Sequence, residues 1–313
     1  MRILITSGGT SEKIDGVRTI TNMSTGKLGA GIANTLVENT FTNLEIFFLS
    51  SNKCTLPKQH RRIKVVEITD TQSVLDNMKN IIENNKIDYV IHAMAISDYT
   101  TDKVFSLDSL KEAILKEDVN NVCSDEMINN IINNIVAIDN SKKISSNNDT
   151  MFVQLKKTPK IVDMIKHWDK NVKLISFKLL NGVSEEELLD VAKKQLERTN
   201  SDLVIANDLV NIKNGNHRAL FVEKDKFVVV EGKSNIANSV FDYIYSSGNL
   251  ITEKEINNIH KFLSNRFRLD WPFKKSIRKN IDNIDEVKSL FLKSGYIVEY
   301  ETDLLYMFKK DWF

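Results

Sequence analysis

Residues 2–36 have the sequence RILITSGGTSEKIDGVRTITNMSTGKLGAGIANTL. The apolar and β-branched run at residues 2–6 predicts a strand, which leads directly into the glycine loop of residues 7–10. A helix is predicted from about residue 24 to residue 36. A strand, a glycine loop and a helix in this order are typical of the first unit of an α/β domain, so this segment predicts the fold class.

The alternation of strands and helices continues along the chain. Further strands are predicted at residues 44–49, 64–68, 88–95, 151–155, 174–177 and 203–206, helices at residues 71–83, 184–198 and 234–245, and a hairpin at residues 219–230. Because strands that alternate with helices pair in parallel through right-handed crossovers, we expect a Rossmann-like, doubly wound, mostly parallel sheet that these strands extend. Ligands of such sheets bind at the carboxyl ends of the strands.

Two segments interrupt this pattern and divide the chain. Residues 101–148 contain short helical pieces and a tail rich in Asn and Ser, which predicts a flap or dimerisation arm with little core of its own. Residues 248–313 predict a small α+β appendage. Its predicted elements are helices at residues 253–266 and 284–294 and strands at residues 297–300 and 304–308. A basic and aromatic cluster at residues 271–279 fits a solvated helix face as well as a binding surface. We therefore expect a main domain at residues 1–247, followed by the appendage.

The composition excludes several classes of protein. The 313 residues are 42% hydrophobic and 27% charged, and 43 basic against 42 acidic side chains leave a net charge of +1. No large positive field is therefore expected to attract nucleic acid or an anionic membrane. The opening apolar run is too short for a signal peptide and no later run reaches the roughly 20 residues of a membrane span, so we expect a cytoplasmic protein. Cys54 and Cys123 lie far apart, outside any CxxC pair, and we expect reduced structural thiols rather than metal ligands.

Two groups of residues near the first strand are suited to binding phosphate. They are Gly8, Gly9 and Thr10 at the strand end, and Asn22, Ser24 and Gly26 at the helix start. Glycines that lack a Cβ atom let backbone N–H groups approach a nucleotide, and the unpaired N–H groups and dipole of a helix start favour an anion. Ordinary turn formation by the glycines and N-capping by Ser24 explain part of the same pattern.

Another pattern is similar to the cofactor motif of NAD(P)-dependent short-chain reductases. Residues 25–31 hold three glycines, and Tyr99 stands four residues before Lys103, as in the tyrosine and lysine pair of those enzymes. In a dinucleotide-binding fold the glycine turn follows its strand directly, yet here nearly twenty residues separate Ser7 from Gly26. The acidic residue that would hold a ribose after the second strand is also missing. The spacing therefore argues against a reductase.

Longer motifs give the chain a family resemblance. Residues 5–29, ITSGGTSEKIDGVRTITNMSTGKLG, combine a GGT loop, an I-D-x-V-R turn and an S/T-N-x-S-S/T-G helix start. They resemble the opening of phosphopantothenoylcysteine synthetases, also called phosphopantothenate–cysteine ligases. Five further motifs follow in the same order: HAMAISDY (92–99), KKIS (142–145), LKKTPKIV (155–162), ISFKLL (175–180) and DLVIANDL (202–209). The resemblance covers residues 1 to about 247 and points to stand-alone bacterial ligases, such as those of lactic-acid bacteria, which lack a fused flavin decarboxylase domain.

The resemblance implies a two-step ligase reaction of coenzyme A biosynthesis. The carboxylate of 4′-phosphopantothenate attacks the α-phosphate of a nucleoside triphosphate, usually CTP in bacteria with ATP as the alternative, and pyrophosphate leaves. The amine of L-cysteine then displaces the nucleoside monophosphate. A triphosphate implies Mg²⁺, which we expect to arrive with the nucleotide because no carboxylate cluster suggests a protein-held metal. The resemblance also implies a homodimer in which the flap reaches across the two-fold axis.

The resemblance assigns roles to individual residues. Asn22 falls on the asparagine that handles the acyl-nucleotide, Arg18 on an arginine that clamps phosphate or carboxylate, and Lys143 on the flap lysine that neutralises the triphosphate. Nucleotide contacts are implied for Ala93, Met94, Asp98 and Phe177. Simpler roles stay open: a turn residue for Asn22, an ion pair for Arg18, a solvated lysine for Lys143 and a core side chain for Phe177.

Two departures from the family pattern leave the nucleotide preference open. Residues 145–146 are serines where many members carry further lysines, and Lys178-Leu-Leu replaces an Ala-Ala-Glu sequence. A catalytically inactive Rossmann-like binding module, with the appendage as its partner surface, is the alternative of a different class. The joint presence of Asn22, Asp98 and Lys143 argues against it, because a binding module needs none of these chemistries.

Overall fold

We describe the fold from a computed structural model of the chain. The structure describes residues 1–39, 44–116, 124–213 and 217–248 and, further on, the backbone of residues 275–278, 296–301 and 304–309. The strands are β1 (Arg2–Gly9), β2 (Ser11–Lys13), β3 (Thr19–Thr21), β4 (Glu45–Ser51), β5 (Ile63–Ile68), β6 (Tyr89–Ala95), β7 (Tyr99–Ser106), β8 (Met151–Lys157), β9 (Lys173–Leu180), β10 (Leu203–Asp208), β11 (Arg218–Val222), β12 (Phe227–Glu231), β13 (Lys275–Arg278), β14 (Tyr296–Glu301) and β15 (Leu304–Lys309). The helices are α1 (Lys27–Asn39), α2 (Thr71–Asn84), α3 (Leu107–Leu115), α4 (Asp125–Asn134), α5 (Ile161–Trp168), α6 (Glu185–Thr199), α7 (Leu209–Lys213) and α8 (Lys233–Gly248).

Eight strands form the central sheet, in the order β12-β11-β10-β9-β6-β1-β4-β5. The six strands from β10 to β5 in this order are parallel, and β11 and β12 add an antiparallel hairpin at one edge. Counted along the chain, the parallel strands follow the 3-2-1-4-5-6 order of dinucleotide-binding Rossmann folds, which reverses between β1 and β6. The predicted Rossmann-like, mostly parallel sheet is confirmed, and a ligand cleft is expected where the order reverses.

Helices cover both faces of this sheet, as a doubly wound fold requires. In β1, Ile3 and Ile5 pack in the cluster that includes α1 and α8, whereas Leu4 packs in the cluster that includes α2 and α5. All three side chains are fully buried. A central parallel strand needs apolar side chains on both faces, and each contributes roughly 1.5–3 kcal/mol when it is buried.

The strand predicted at residues 151–155 does not extend the central sheet, so that expectation is wrong. The residues form part of β8, which pairs antiparallel with β7 in a separate two-stranded sheet. No residue of β8 is buried, whereas every residue of β10 in the central sheet is. A strand with so little buried surface does not suit a central place in a sheet that is covered on both faces. Sequence analysis did not predict β7, because residues 99–106 mix polar and apolar side chains.

Most of β7 together with α3 and α4 lies in the predicted flap segment, and these elements form an arm with β8, which follows that segment. The side chains of Ser106 and Ser124 cap α3 and α4 by accepting hydrogen bonds from backbone N–H groups. Phe105, Ala113 and Ile135 form a small buried cluster, but none of the side chains of α4 is buried. The arm therefore has little core of its own, as the sequence predicts.

Beyond residue 248, the structure describes a three-stranded antiparallel sheet in the order β13-β15-β14. The strands β14 and β15 coincide with the two strands predicted for the appendage. β13 lies within the basic and aromatic cluster at residues 271–279, so a helix face is wrong for residues 275–278. The helices predicted at residues 253–266 and 284–294, and Cys123, lie outside the described residues. Within the described part of the chain, no helix combines the length and apolar character needed to cross a membrane.

Candidate functional site

A cleft of about 500 Å³ opens at the carboxyl edge of the sheet, beside the reversal point between β1 and β6. Its walls come from the start of α1, the end of β6, the start of α5 and the end of β9, with further side chains from later elements. The main lining segments are residues 23–29, 92–98, 159–162 and 177–179. This is the position at which open α/β sheets bind ligands.

The paired glycines lie inside β1 rather than in a loop, because the strand continues to Gly9. Gly8 has a φ of +88°, and a Cβ atom there would lie 2.1 Å from the Cys54 sulfur. A Cβ atom on Gly9 would lie 2.4 Å from the backbone oxygen of Asn22. Neither glycine lines the cleft. They let two loops pack closely against the strand, and the expectation that residues 7–10 form a loop is wrong.

Thr10 supports the cleft from behind. Its backbone N–H donates to the Ala95 oxygen over 3.2 Å, and its hydroxyl accepts from the Ser97 N–H over 3.0 Å. The side chain is fully buried and does not line the cleft. Thr10 therefore holds the end of β6 in place from behind the cleft.

The start of α1 forms one wall of the cleft. Gly26 has a φ of +70°, and its backbone oxygen accepts the first helical hydrogen bond, from the Ala30 N–H over 3.1 Å. Gly26, not Ser24, therefore directly precedes the helix, so N-capping by Ser24 is wrong. Both residues line the cleft. The N–H groups of the first turn have no acceptor within the helix, and together with the helix dipole they favour an anion.

Asn22 is half-buried and lies against the end of β6. Its side-chain Nδ2 donates to the Ala95 oxygen over 3.2 Å, and its backbone N–H donates to the Thr10 oxygen over 3.3 Å. Ala93 and Met94, which sequence analysis predicts as nucleotide contacts, line the cleft in the same strand. The structure therefore brings Asn22 together with the predicted contacts of β6.

His92 also lines the cleft, although the sequence did not predict it as a site residue and it stood out only as part of the motif HAMAISDY. Its Nδ1 lies 2.9 Å from the Thr6 hydroxyl, and burial lowers the pKa of the imidazole to about 4. The ring is therefore neutral at physiological pH. A neutral, hydrogen-bonded histidine shapes the floor of the cleft without adding charge.

Phe177 and Asn207 form the wall on the side of β9 and β10. Phe177 is half-buried, lines the cleft and also packs against the core, so the structure fits both roles considered for it. Its backbone oxygen accepts from Gln195 over 3.2 Å. Asn207 lines the cleft with 8% of its surface exposed, and its Nδ2 donates to the Arg218 oxygen over 3.1 Å. The motif DLVIANDL contained Asn207 but gave no sign of which residue faces a ligand.

Positive charge dominates the cleft. The cationic side chains that line it are Lys27, Lys160, Lys178, Arg198 and Lys233, and the carboxylate among the described lining residues is Asp98. Asp98 is exposed and forms an ion pair with Lys160. His217 lines the far end, where burial, followed by the charge of Lys233, lowers the pKa of its imidazole. Arg198 also forms an ion pair with Asp163, so the excess of positive charge comes from Lys27, Lys178 and Lys233, and it suits a ligand with several negative charges.

None of the three predicted catalytic residues, Asn22, Arg18 and Lys143, lines the cleft of its own chain, although Met23, the neighbour of Asn22, does. The Nε and Nη2 of Arg18 donate to the Asp15 carboxylate over 2.9 and 2.6 Å, so the ion pair considered for this arginine is present. Lys143 is exposed on the segment that packs against the Asp15 turn. The structure thus places Arg18 and Lys143 near each other, outside the lining of the cleft.

The described residues do not offer a metal site. In the parts of the chain that the structure describes, no three His, Cys, Asp or Glu side chains are grouped so that they could hold a metal ion. Asp98, the carboxylate in the cleft, is engaged by Lys160. Protein-held Mg²⁺ needs several oxygen ligands in octahedral geometry, so these residues do not fit it.

The reductase alternative finds no support in the geometry. Tyr99 and Lys103 lie on β7 and neither lines the cleft. Lys103 donates instead to the backbone oxygens of Ile132 and Asn133 in the arm. The tyrosine and lysine pair is therefore absent from the described surface of the cleft.

The strand order and the cationic cleft at its reversal point define a Rossmann-like α/β protein whose site suits an anionic ligand. The chain belongs to the family of the DNA/pantothenate metabolism flavoprotein C-terminal domain, whose sequence model matches residues 1–126 and 134–247. This membership confirms the family resemblance predicted from the motifs.

Similar proteins include one from an archaeon and one from a bacterium. The coenzyme A biosynthesis bifunctional protein CoaBC of Thermococcus kodakarensis is 31% identical over 224 residues, which make up 72% of this chain and 45% of that protein. The crystal structure of the DNA/pantothenate metabolism flavoprotein from Streptococcus pneumoniae is 37% identical with a TM-score of 0.67, and the match covers 79% of this chain and 99% of that chain. A mutant of Cab2 in complex with phosphopantothenate-cysteine is 17% identical with a TM-score of 0.54, over 83% of this chain and 88% of that chain, and shares the fold alone. The chain spans about half the length of the curated relatives it matches.

Proposed function

We propose that the chain is a phosphopantothenate–cysteine ligase, which joins 4′-phosphopantothenate to L-cysteine through an acyl-nucleotide in coenzyme A biosynthesis. The observation that carries the proposal is the cleft at the reversal point of the sheet, where the start of α1 and an excess of cationic side chains surround a space of about 500 Å³. The name of a relative refers to coenzyme A biosynthesis, which supports this pathway for the chain. The structure of a protein of the same fold has been solved in complex with phosphopantothenate-cysteine.

The first half of the proposed reaction is nucleotidyl transfer. A carboxylate oxygen of the acid attacks the α-phosphorus of the triphosphate, and pyrophosphate leaves with the electron pair of the broken P–O bond. Negative charge shifts among the phosphate oxygens in the transition state, so fixed donors and cations at these oxygens accelerate the step. We assign this stabilisation to the first-turn N–H groups of α1 and to the cleft lysines Lys27 and Lys178, which line its two sides.

We propose CTP as the co-substrate, with ATP as the alternative. Phe177 at the end of β9 offers an aromatic surface for the base, and Lys178 beside it departs from the family pattern. Mg²⁺ is proposed to enter on the phosphate oxygens of the nucleotide, because the described side chains provide no cage for it.

The second half of the proposed reaction is aminolysis. The amine of cysteine attacks the acyl carbon, an oxyanion forms on the carbonyl oxygen, and its collapse expels the nucleoside monophosphate while the amine loses a proton. One N–H of the Asn22 amide is engaged by the Ala95 oxygen, which fixes the orientation of the amide and leaves its other N–H for the oxyanion. An amide suits this task because it donates without competing as a nucleophile.

We also propose a homodimer in which each site is completed by the second copy. Arg18 and Lys143 lie outside the cleft of their own chain, although the proposed reaction needs their charges at the phosphates. The arm near them exposes apolar side chains, among them Leu115 at 77% and Val136 at 61% exposure. Exposed apolar surface on a core-poor arm favours burial against another chain.

The division of the chain follows the family match. We propose that residues 1–247 carry the ligase activity, because the match ends at residue 247. The sheet of β13, β14 and β15 then belongs to an appendage with a separate role. The cytoplasmic location expected from the sequence stays a prediction.

The proposal is tested by an assay that separates the two halves. The protein is incubated with phosphopantothenate, Mg²⁺ and either CTP or ATP, and pyrophosphate and amide product are measured with and without cysteine. We expect pyrophosphate that requires the acid and amide that requires cysteine. Nucleotide binding without either product would instead support the inactive binding module, and reduction of a nicotinamide cofactor would support a reductase.

A further inference from the structure

Asp15 makes an unusual set of hydrogen bonds for one carboxylate. Its Oδ1 accepts from the backbone N–H groups of Val17 and Arg18 over 2.8 and 2.7 Å, and its Oδ2 accepts from the guanidinium of Arg18. Its Oδ2 also accepts from the backbone N–H of Ile144 over 3.1 Å, 129 residues further along the chain. The side chain of Asp15 has no exposed surface. One buried carboxylate thus joins the turn of Arg18 to the segment that carries Lys143.

Backbone contacts reinforce this connection. The Gly16 N–H donates to the Lys142 oxygen over 3.3 Å. A Cβ atom on Gly16 would lie 3.1 Å from the Lys142 Cα and 3.2 Å from the Lys143 nitrogen, closer than most real Cβ contacts. Ile144, the next residue, is 4% exposed. We call the contact of Asp15, Gly16 and Arg18 with residues 142–144 the Asp15 junction.

Electrostatic attraction stabilises the Asp15 junction. The guanidinium of Arg18, followed by the backbone N–H groups of Arg18 and Val17, holds the pKa of the Asp15 carboxyl well below its usual range. Asp15 is therefore ionised at any physiological pH. The pair fixes the plane of the guanidinium, whose Nη2 also donates to the Ile144 oxygen over 3.4 Å, while its Nη1 remains able to bind an anion.

We infer that Asp15 is a positioning residue that holds Arg18 and Lys143 as one unit, so that both charges reach the anionic substrates of a site together. The inference rests on the proposed function and gives a role to a residue that the I-D-x-V-R motif contains without a role and that does not line the cleft. Arg18 is oriented by direct ion pairing, and Lys143 is placed by the docking of its backbone. Losing the junction should therefore remove the benefit of both cations at once.

Two variants break the junction in different ways. Asp15→Asn keeps the shape but removes the charge, and Gly16→Ala keeps the charge but pushes residues 142–143 away. The matched controls are Asp139→Asn, which removes an exposed carboxylate from the same segment, and Gly31→Ala, where an added Cβ atom meets nothing within 4 Å. Neither control touches the junction.

The kinetic readout is pre-steady-state pyrophosphate release, measured beside CTP affinity without the acid. We expect pyrophosphate release to be about tenfold or more slower in Asp15→Asn and in Gly16→Ala. A displacement of a catalytic group by about 1 Å is enough to lower the rate this much. CTP affinity should change less than about twofold, and the double variant Asp15→Asn/Lys143→Gln should be little slower than Lys143→Gln alone. Losses that multiply in the double variant, or equal losses of affinity and rate, would overturn the positioning role.

A second readout is independent of activity. Hydrogen exchange of the Ile144 amide in the full chain should be slow in the wild type and about tenfold or more faster in Asp15→Asn, with the Asp139→Asn variant unchanged. Equal exchange in Asp15→Asn and the wild type refutes the junction itself. If the wild type exchanges as expected but releases no pyrophosphate from CTP or ATP when the acid is present, the proposed function fails and the positioning role fails with it.

Discussion

Asn22 is held by its backbone and its side chain at once, which makes it a sharp test of the site. The Ser24 N–H donates to its oxygen over 3.0 Å, and its Nδ2 donates to Ala95 over 3.2 Å. We expect Asn22→Ala to release pyrophosphate at nearly the normal rate but to stall before aminolysis, with a loss of roughly 2–4 kcal/mol in that step. Chemical quench should then detect accumulated acyl-nucleotide. Equal loss in both halves would contradict this role, and Asn84→Ala on the exposed face of α2 serves as the control.

Lys143 should act in the first half by balancing charge on the triphosphate. An interaction that strengthens in the transition state affects turnover more than binding, so Lys143→Gln should lower the rate of pyrophosphate release more than nucleotide affinity. Because residues 145–146 are serines, the segment has few spare cations, and we expect a loss of about two orders of magnitude. Lys143→Arg keeps the charge on a larger fork and should also be impaired. An unchanged first-half rate in Lys143→Gln would mean that the lysine is merely solvated.

His92 should make stability depend on pH. Its pKa is lowered to about 4 from 6.5 by burial, so the unfolded chain binds a proton that the folded chain does not. The stabilisation is complete above pH 6.5 and is lost as the pH falls toward 4, by about 2 kcal/mol between pH 7.5 and pH 5. Urea unfolding at both pH values should show this loss, and a smaller loss in His92→Gln. His217, whose pKa is also lowered, supplies part of the remaining slope, and an identical slope in the variant would exclude His92 as its source.

At the scale of elements, sequence periodicity was sufficient to locate the helices and strands whose side chains are buried in a regular pattern. The helix predicted at residues 71–83 and the hairpin at residues 219–230 match α2, β11 and β12 to within a few residues. The start of α1 was misplaced because Gly26, with its positive φ, delays the helix to Lys27. β7 and the place of β8 could not be predicted, since their pairing partner lies about 50 residues away along the chain.

The charge of the cleft shows a different limit of sequence analysis. Lys160 and Lys233 are far apart along the chain and belong to no shared motif, yet the strand order brings both to the lining of one cleft. Motifs predicted Asn22 and Asp98 because both residues lie within continuous family patterns, and of the two Asp98 lines the cleft. Residues that come to one site from separate elements can be identified only when the topology is known.

The packing of α1 against β1 can be tested with two glycines of the same helix. A Cβ atom on Gly29 would lie 2.4 Å from the Ser7 hydroxyl oxygen and 2.7 Å from its Cβ, whereas one on Gly31 meets nothing within 4 Å. Gly29→Ala should therefore lower the free energy of unfolding by about 1–3 kcal/mol through overpacking. Gly31→Ala should raise it by up to about 1 kcal/mol, because alanine favours the helix and restricts the unfolded chain. Denaturant titration measures both, and equal effects of the two changes would contradict the close approach of α1 to Ser7 in β1.

At the scale of the whole molecule, the proposed homodimer would let Arg18 and Lys143, which lie outside the cleft of their own chain, serve the cleft of the second copy. Co-expression of an Asn22→Ala chain and a Lys143→Gln chain with different affinity tags yields mixed dimers that can be purified through both tags. One site of each mixed dimer then combines an intact cleft with an intact flap lysine, and the other site carries both changes. We expect about half of the wild-type turnover, although each variant alone is strongly impaired. If each flap served the cleft of its own chain, both sites of the mixed dimer would be damaged and the activity would stay at the level of the single variants. A strictly monomeric protein that is fully active at micromolar concentration would exclude the dimer altogether.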